Sequence, residues 1–221
     1  MRLGKHIVRE WVQSIGSTLL FVWLFTSHVA QATEVPTESM KPSILPGDHF
    51  FLDKLGFEAN YPSMLKPYLP SRTVSRREIV AFWSPADRNT RLVKRVIGLP
   101  GETVEIRNKE VFIDDVRLNE PYKVHTDPII IDQRDNFGPV TVPPDSYFMM
   151  GDNRENSNDS RFWGFARKDD LIGRPLFIYW SYDVDPYMPA ESAGEILLHY
   201  ASTAMHFFDR TRWFRTGTIV R

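Results

Sequence analysis

The longest uncharged stretch of the chain lies near its start. Residues 11–33 hold no Asp, Glu, Lys or Arg, and their apolar centre runs from Leu19 to Phe25. As a helix this stretch would span roughly 34 Å, against a hydrocarbon core of about 30 Å. The pattern predicts a single transmembrane anchor over 11–33. Residues 1–10 carry Arg2, Lys5 and Arg9 against Glu10 alone. The excess of positive charge keeps that end in the cytoplasm and puts everything after residue 33 outside it. A competing reading makes the same segment a cleaved secretory signal. Ser14, Ser17, Thr26, Ser27 and His28 weaken the span, and Ala30-Gln31-Ala32 has the small-x-small form of a cleavage site.

After residue 33 the period shortens to that of strands. Glu78 to Trp83 and Leu92 to Ile97 are apolar, β-branched or aromatic runs, the second ended by Gly98 and Pro100. Thr103, Glu105 and Arg107 alternate with Val104 and Ile106, and Val111 to Ile113 follows a short polar break. Residues 102–116 therefore read as a hairpin. Ser146 to Met150 and Leu176 to Trp180 are two further strands. Several short strands separated by Gly, Pro and Asn signals predict a mainly β domain, a barrel or sandwich. Residues 60–77, with Pro62, Pro67 and Pro70, read as a surface loop, and residues 123–145, with four prolines, as irregular. Glu191 to Asp209 is a helix candidate. The last residues, carrying Arg210, Arg212, Arg215 and Arg221, read as a solvated end or as a contact for anionic head groups.

Composition narrows the chemistry. The chain has no cysteine, which excludes disulfides, zinc–thiolate sites and a cysteine nucleophile. A net charge of -1 gives no general basic field for nucleic acid. Three segments remain that could do work. VPTESMKPSILPGD, residues 35–48, follows the anchor directly, and Pro36 and Pro42 restrict the backbone around Ser39. In RLVKRVIGLPGE, residues 91–102, period two puts Lys94 on one strand face with Leu92 and Val96. An ammonium there either snorkels to water or loses its proton to desolvation, and a neutral lysine is a competent general base. MMGDNRENSNDSRFWG, residues 149–164, is dense in polar groups between apolar brackets, as suits a loop that orients something. Read as a calcium loop it puts Arg154, Ser157 and Trp163 where an acid, a glycine and a bidentate Glu are needed, so it fails.

In this order the three segments resemble the type I signal peptidases, which remove signal peptides from exported proteins. The matching boxes are SMKP at 39–42, KRVIGLPGE at 94–102 and GDNRENSNDSRFWG at 151–164, with NKEVFIDDVRLNEPY at 108–122 similar to a hairpin of the family. The resemblance covers about residues 35–180, with a weaker echo at 212–215. It implies Ser39 as nucleophile and Lys94 as general base. It implies Ser157 as the hydroxyl that holds the lysine amine, and Asp159 and Arg161 as a structural ion pair. Thr37 falls where many members have a serine whose hydroxyl helps stabilise the oxyanion. Val35, Pro36 and Met40, with Leu92 and Val93 beside the base, fall to the substrate groove. Leu92 stands where some members have Tyr, and Arg77-Glu78 where many have Gly-Asp.

The resulting expectation is a signal-peptidase-like catalytic domain over 34–185 with a small accessory β insertion at about 103–148. An anchor precedes it, and a C-terminal helix and basic tail over 186–221 follow. The expected enzyme is a serine endopeptidase, a monomer in the bacterial cytoplasmic membrane, cutting preproteins after small-x-small sites. It needs no metal and no cofactor, and its partners are preproteins and the lipid bilayer. The alternatives are a relative dedicated to one secretion or conjugation substrate, an inactive anchored scaffold, and a Ser-His-Asp hydrolase. The six histidines are scattered outside the second and third segments, which counts against the last.

Overall fold

The computed structural model describes residues 2–34, 36–183, 192, 194 and 201–221. It opens with a long helix, α1 (Arg2–His28). Strands follow as β1 (Ala30–Glu34), β2 (Asp48–Asp53), β3 (Ile79–Trp83), β4 (Arg91–Gly98), β5 (Thr103–Arg107), β6 (Glu110–Ile113), β7 (Val116–Arg117), β8 (Phe137–Thr141), β9 (Ser146–Met150), β10 (Ala166–Arg167) and β11 (Leu171–Ser181). They make two antiparallel sheets. The larger has the order β1-β2-β11-β3-β4-β9-β10 and the smaller β7-β6-β5-β8. The protein is mainly β, as the alternation indicated. Among the described residues the larger sheet stays open, with β1 and β10 at its edges, and does not close into a barrel.

The smaller sheet is built from local turn chemistry. Asn108 and Lys109 both have positive φ (49° and 71°), as do Asp114 and Asp115 (49° and 64°). Two consecutive left-handed residues form the tight turn whose twist matches antiparallel strands, and Asn and Asp accept that conformation most readily. Val104, Ile106, Val111 and Ile113 then face one way, into a core shared with Ile97, Phe148 and Met150 of the larger sheet. At the crossing point a Cβ on Gly98 would lie 2.5 Å from Val104 Cγ2. Only a residue without a side chain lets β4 approach β5 that closely.

Three expectations change. Residues 30–33, assigned to the anchor, are strand: α1 stops at His28, and Ala30 to Glu34 pair with Asp53 to His49. A spanning segment cannot share its residues with a sheet edge, so the helical part ends five residues early. Residues 137–141, read as irregular from their prolines, form β8; Pro139 is tolerated because β8 is an edge strand with one partner. The basic tail is not free, although most of its residues stay exposed. Ile178 N–H donates to the Thr218 carbonyl and Val220 N–H to the Leu176 carbonyl. Arg215 grips buried Asp48 through Nε (3.0 Å) and Nη2 (2.6 Å). Of the helix candidate Glu191–Asp209, residues 191, 193 and 195–200 lie outside the described residues; residues 201–205 are helical, and a further turn runs Phe207–Arg210.

Candidate active site

Ser39 sits in a single 3-10 turn, Glu38–Met40, just after β1. Two features fix that turn. Met40 is fully buried among Ile44, Phe50, Leu52, Ile79 and Ile178, so it pins the turn to the larger sheet from below. Asn153 closes over it, its backbone N–H donating to the Ser39 carbonyl (3.1 Å) and its side-chain amide to the Glu38 carbonyl (3.3 Å). The assignment of Met40 to a substrate groove is thereby corrected: a side chain with no exposed surface packs the core and offers nothing to a ligand.

Lys94 comes to the same place from the middle of β4. Its neighbours on that face, Leu92 and Val96, join a core with Val80, Phe82 and Met149. The side chain is 3 % exposed. Its amine lies 2.6 Å from Ser39 Oγ, which is 6 % exposed, and also donates to the Val93 carbonyl (3.2 Å). Burial lowers the lysine pKa from its ordinary value to about 8, against the opposing pull of Asp159 and Asp152. The charged form has lost its water and gained no carboxylate in contact, which is the condition that releases the proton. Thr37 Oγ1 lies 3.2 Å from Ser39 Oγ on the exposed side.

Of the buried ion pairs behind these two residues, two bear directly on the site. Asp159 and Arg161 meet in a two-point contact, Nε to Oδ1 and Nη2 to Oδ2, both 2.8 Å, and Asp159 also accepts from the Gly151 N–H (3.1 Å). Arg161 in turn donates to the Arg154 carbonyl (2.6 Å), so this pair shapes the loop that holds Asn153. The second pair, Arg95 with Asp152 (2.7 and 2.6 Å), went unassigned in the sequence although both residues lie inside the quoted boxes. Ser43 donates to Asp152 (2.5 Å) and ties the turn after Ser39 to the same network. The signal that could have found it was the arginine next to Lys94, which must face the opposite side of β4 and therefore needs a buried partner.

Ser157 is placed beside the site, but its hydroxyl is buried and bonds to nothing, the expected Lys94 amine included. Gly151 lies between: a Cβ there would fall 2.5 Å from the Ser39 carbonyl oxygen and closer still to Ser157 Oγ. Pro36 and Thr37 are exposed next to Ser39, while Leu92 and Val93 are partly buried on opposite faces of β4. Val35 lies outside the described residues. Among the described residues no group of three His, Asp or Glu side chains is arranged to hold a metal.

A mainly β frame that holds a serine hydroxyl against a desolvated lysine amine is an arrangement suited to nucleophilic catalysis. The family model for signal peptidase, peptidase S26, matches residues 8–180. Similar proteins include a signal peptidase I of Leptolyngbya laminosa, 32 % identical over 77 % of this chain and 79 % of that one. A signal peptidase I P of Bacillus subtilis subsp. natto is 33 % identical over 81 % of this chain and 92 % of that one. A crystal structure of a signal peptidase I from Enterococcus faecalis shares 36 % identity, covering 47 % of this chain and 97 % of that one at a TM-score of 0.40. The chain belongs to the S26 signal peptidase family and is a serine endopeptidase of that class.

Proposed function

We propose that this enzyme cuts signal peptides from exported preproteins with Ser39 as nucleophile and Lys94 as general base. The observation that carries the reading is the 2.6 Å contact between two buried groups, the Lys94 amine and Ser39 Oγ. With its proton gone, the amine turns its lone pair on the Ser39 O–H at hydrogen-bond distance. Oγ then attacks the carbonyl carbon at the end of the signal peptide as Lys94 takes its proton. The Ser39 N–H and the Thr37 hydroxyl receive the oxyanion. Collapse releases the amine of the mature protein, which leaves with the proton from Lys94. Lys94 next activates the water that frees the acyl group. The family resemblance points to small residues at -1 and -3 of the cut, with Pro36 and Thr37 beside Ser39 and Leu92 and Val93 beside Lys94 in the chain. Asp159 and Arg161 serve the site indirectly, by setting the path of the loop. Ser157, with a buried hydroxyl that has no partner beside the site, is the group available to orient the Lys94 amine.

The same reading holds the enzyme at the bacterial cytoplasmic membrane through α1, with the catalytic domain outside. No helix among the described residues is long and apolar enough to cross a membrane by hydropathy alone. Support for α1 comes from what its surface exposes. Trp11, Ile15, Leu19, Leu20, Phe21 and Trp23 are all more than half exposed, on every side of the helix. A helix that exposes large apolar side chains on every side is covered by lipid or protein. Its interruptions are softened, since Ser17 donates to the Ser14 carbonyl (3.0 Å) and Thr26 to the Val22 carbonyl (2.8 Å). A hydroxyl bonded within its own helix costs less in hydrocarbon. At about 40 Å the helix has length to spare. The test is cleavage of a panel of preproteins by the purified enzyme in lipid and by its Ser39→Ala and Lys94→Ala forms. Processing of many substrates, abolished by either change, is the expected result. Cleavage of one substrate alone makes the enzyme a dedicated processor, and activity in either variant removes the mechanism.

A further inference from the structure

α1 is not loosely tethered. His28 Nδ1 meets the Asn60 carbonyl (2.9 Å), Lys54 N–H donates to the Val29 carbonyl (2.9 Å), and Lys54 Nζ reaches the Thr26 carbonyl (3.3 Å). Asn60 is itself pinned, its amide donating to the carbonyls of Ile172 (2.7 Å) and Lys54 (3.1 Å). The end of the helix and the start of the loop at 61–70 are therefore one rigid corner. Whatever surrounds the end of α1 lies next to that loop.

The loop has an unusual surface. Its sequence is YPSMLKPYLP, with Lys66 and no Asp or Glu, while Arg72 and Arg76 beyond it are paired with Glu78 and Glu102. Met64 is 79 % and Tyr68 84 % exposed, with Leu65 and Leu69 more than a third exposed beside them. Prolines 62, 67 and 70 remove three backbone N–H donors. Leu65 N–H donates to the Pro62 carbonyl (2.8 Å) and Tyr68 N–H to the Leu65 carbonyl (3.0 Å), in a compact 3-10 turn. A loop that bonds the amides of Leu65, Lys66, Tyr68 and Leu69 to its own carbonyls and shows apolar side chains, a tyrosine and a lysine is chemically fitted to the boundary between head groups and acyl chains. The absence of acids suits an anionic lipid surface.

We infer that residues 61–70 form a second membrane contact, in which Met64, Leu65, Tyr68 and Leu69 enter the interface of an anionic phospholipid bilayer beside α1. Two contacts at one rigid corner fix the tilt of the catalytic domain, which a single helix would leave free. The inference rests on α1 being held in the membrane, and the test separates the two. The chain has no cysteine of its own, so single cysteines can be introduced into the full-length enzyme and carry a nitroxide in nanodiscs of mixed neutral and anionic phospholipid. Met64→Cys and Tyr68→Cys should be shielded from a water-soluble nickel complex and open to oxygen. Leu20→Cys, within α1, should report the lipid interior, and Asp115→Cys, on the exposed β6–β7 turn, the aqueous phase. Nickel access at 64 and 68 equal to that at 115, with Leu20 still in lipid, overturns the inference and leaves the anchor standing. Nickel access at Leu20 removes the anchor and the inference together. Shielding at 64 and 68 that requires two chains per disc assigns the surface to a second copy and also overturns it. In the same discs, Met64→Ser combined with Tyr68→Ser should lower cleavage of a membrane-bound preprotein about tenfold and leave cleavage of a short soluble peptide unchanged.

Discussion

Ser39, Lys94 and Ser157 account for most of what single residues can explain, and each yields an expectation of its own. Ser39→Ala and Lys94→Ala should each abolish cleavage, and the double change should cost no more than one, because the two act as a unit. A folded single variant with turnover well above background would break the assignment. The pH dependence follows from burial of Lys94. Activity needs the neutral amine, so it should rise with pH through an apparent pKa of about 8. Lys94→Arg should be inactive at every pH, because a guanidinium keeps its proton. Stability carries the same signature. Between about 8 and the ordinary 10.5 the unfolded lysine holds a proton that the folded one has released. Stability therefore rises with pH across that window, by about 3 kcal/mol, and that contribution is lost as pH falls through 8. Denaturant titrations should show the rise in the native enzyme and not in Lys94→Met. Ser157 is different: its hydroxyl is buried without a partner, a cost of about 1–3 kcal/mol that a purely structural residue would not retain. Ser157→Ala should hold or raise thermal stability while lowering kcat about 10- to 1000-fold with KM nearly unchanged. Wild-type kinetics would reduce it to a turn residue.

At the scale of elements, the legible parts were those whose cause is local. β9 coincides with the run Ser146 to Met150, and the β5–β6 hairpin follows from alternation plus Asn108-Lys109. What stayed hidden depends on partners far along the chain. Asp48 looks like the solvated end of a turn, yet it is fully buried and takes Arg215 and the Ser181 hydroxyl (2.6 Å). No periodicity near residue 48 or residue 215 announces that pairing. The same holds for Arg95 and Asp152, and for β8 within a proline-rich stretch. Lys94 with Ser39 was legible for another reason: the resemblance of three boxes joined residues that spacing alone leaves 55 positions apart. The Asp48–Arg215 contact gives a test of the tail. Arg215→Ala would leave a buried carboxylate without its cation, so it should destabilise the enzyme by about 3 kcal/mol and free residues 212–221 for early hydrogen exchange. Arg221→Ala, a change on the exposed last residue of the tail, should do neither. Equal and small effects of both would return the tail to the role of a solvated end.

For the whole molecule, the question is whether the enzyme keeps its own N-terminal segment. Ala30-Gln31-Ala32 has the form this family cuts, and Ser39 lies only seven positions beyond Ala32. The fold protects the bond in two ways. Ala32 sits in the middle of β1, opposite Phe51, with its strand paired from Ala30 to Glu34. A substrate must reach the serine as a free extended chain, so cutting here first requires β1 to leave the sheet. The flanks of β1 are also fixed, at one end by the α1 corner with Asn60 and Lys54 and at the other by the Asn153 clasp on the Ser39 turn. Peeling the strand would break both ends of the element that delivers the nucleophile. The same chain therefore cannot cut itself, and another chain can cut it only when β1 opens. Residues 1–33 should thus remain on the mature enzyme, and any product beginning at Thr33 should form slowly, with a rate that grows with enzyme concentration in detergent. Loosening the pairing should speed it: Phe51→Gly, which weakens β2 opposite Ala32, should raise that rate, and the added Ser39→Ala should abolish it. N-terminal sequencing of enzyme taken from cells decides the matter. Most chains beginning at Thr33 in the native enzyme would mean that β1 does not hold. The same product in Ser39→Ala alone would mean that another peptidase removes the segment as an ordinary signal.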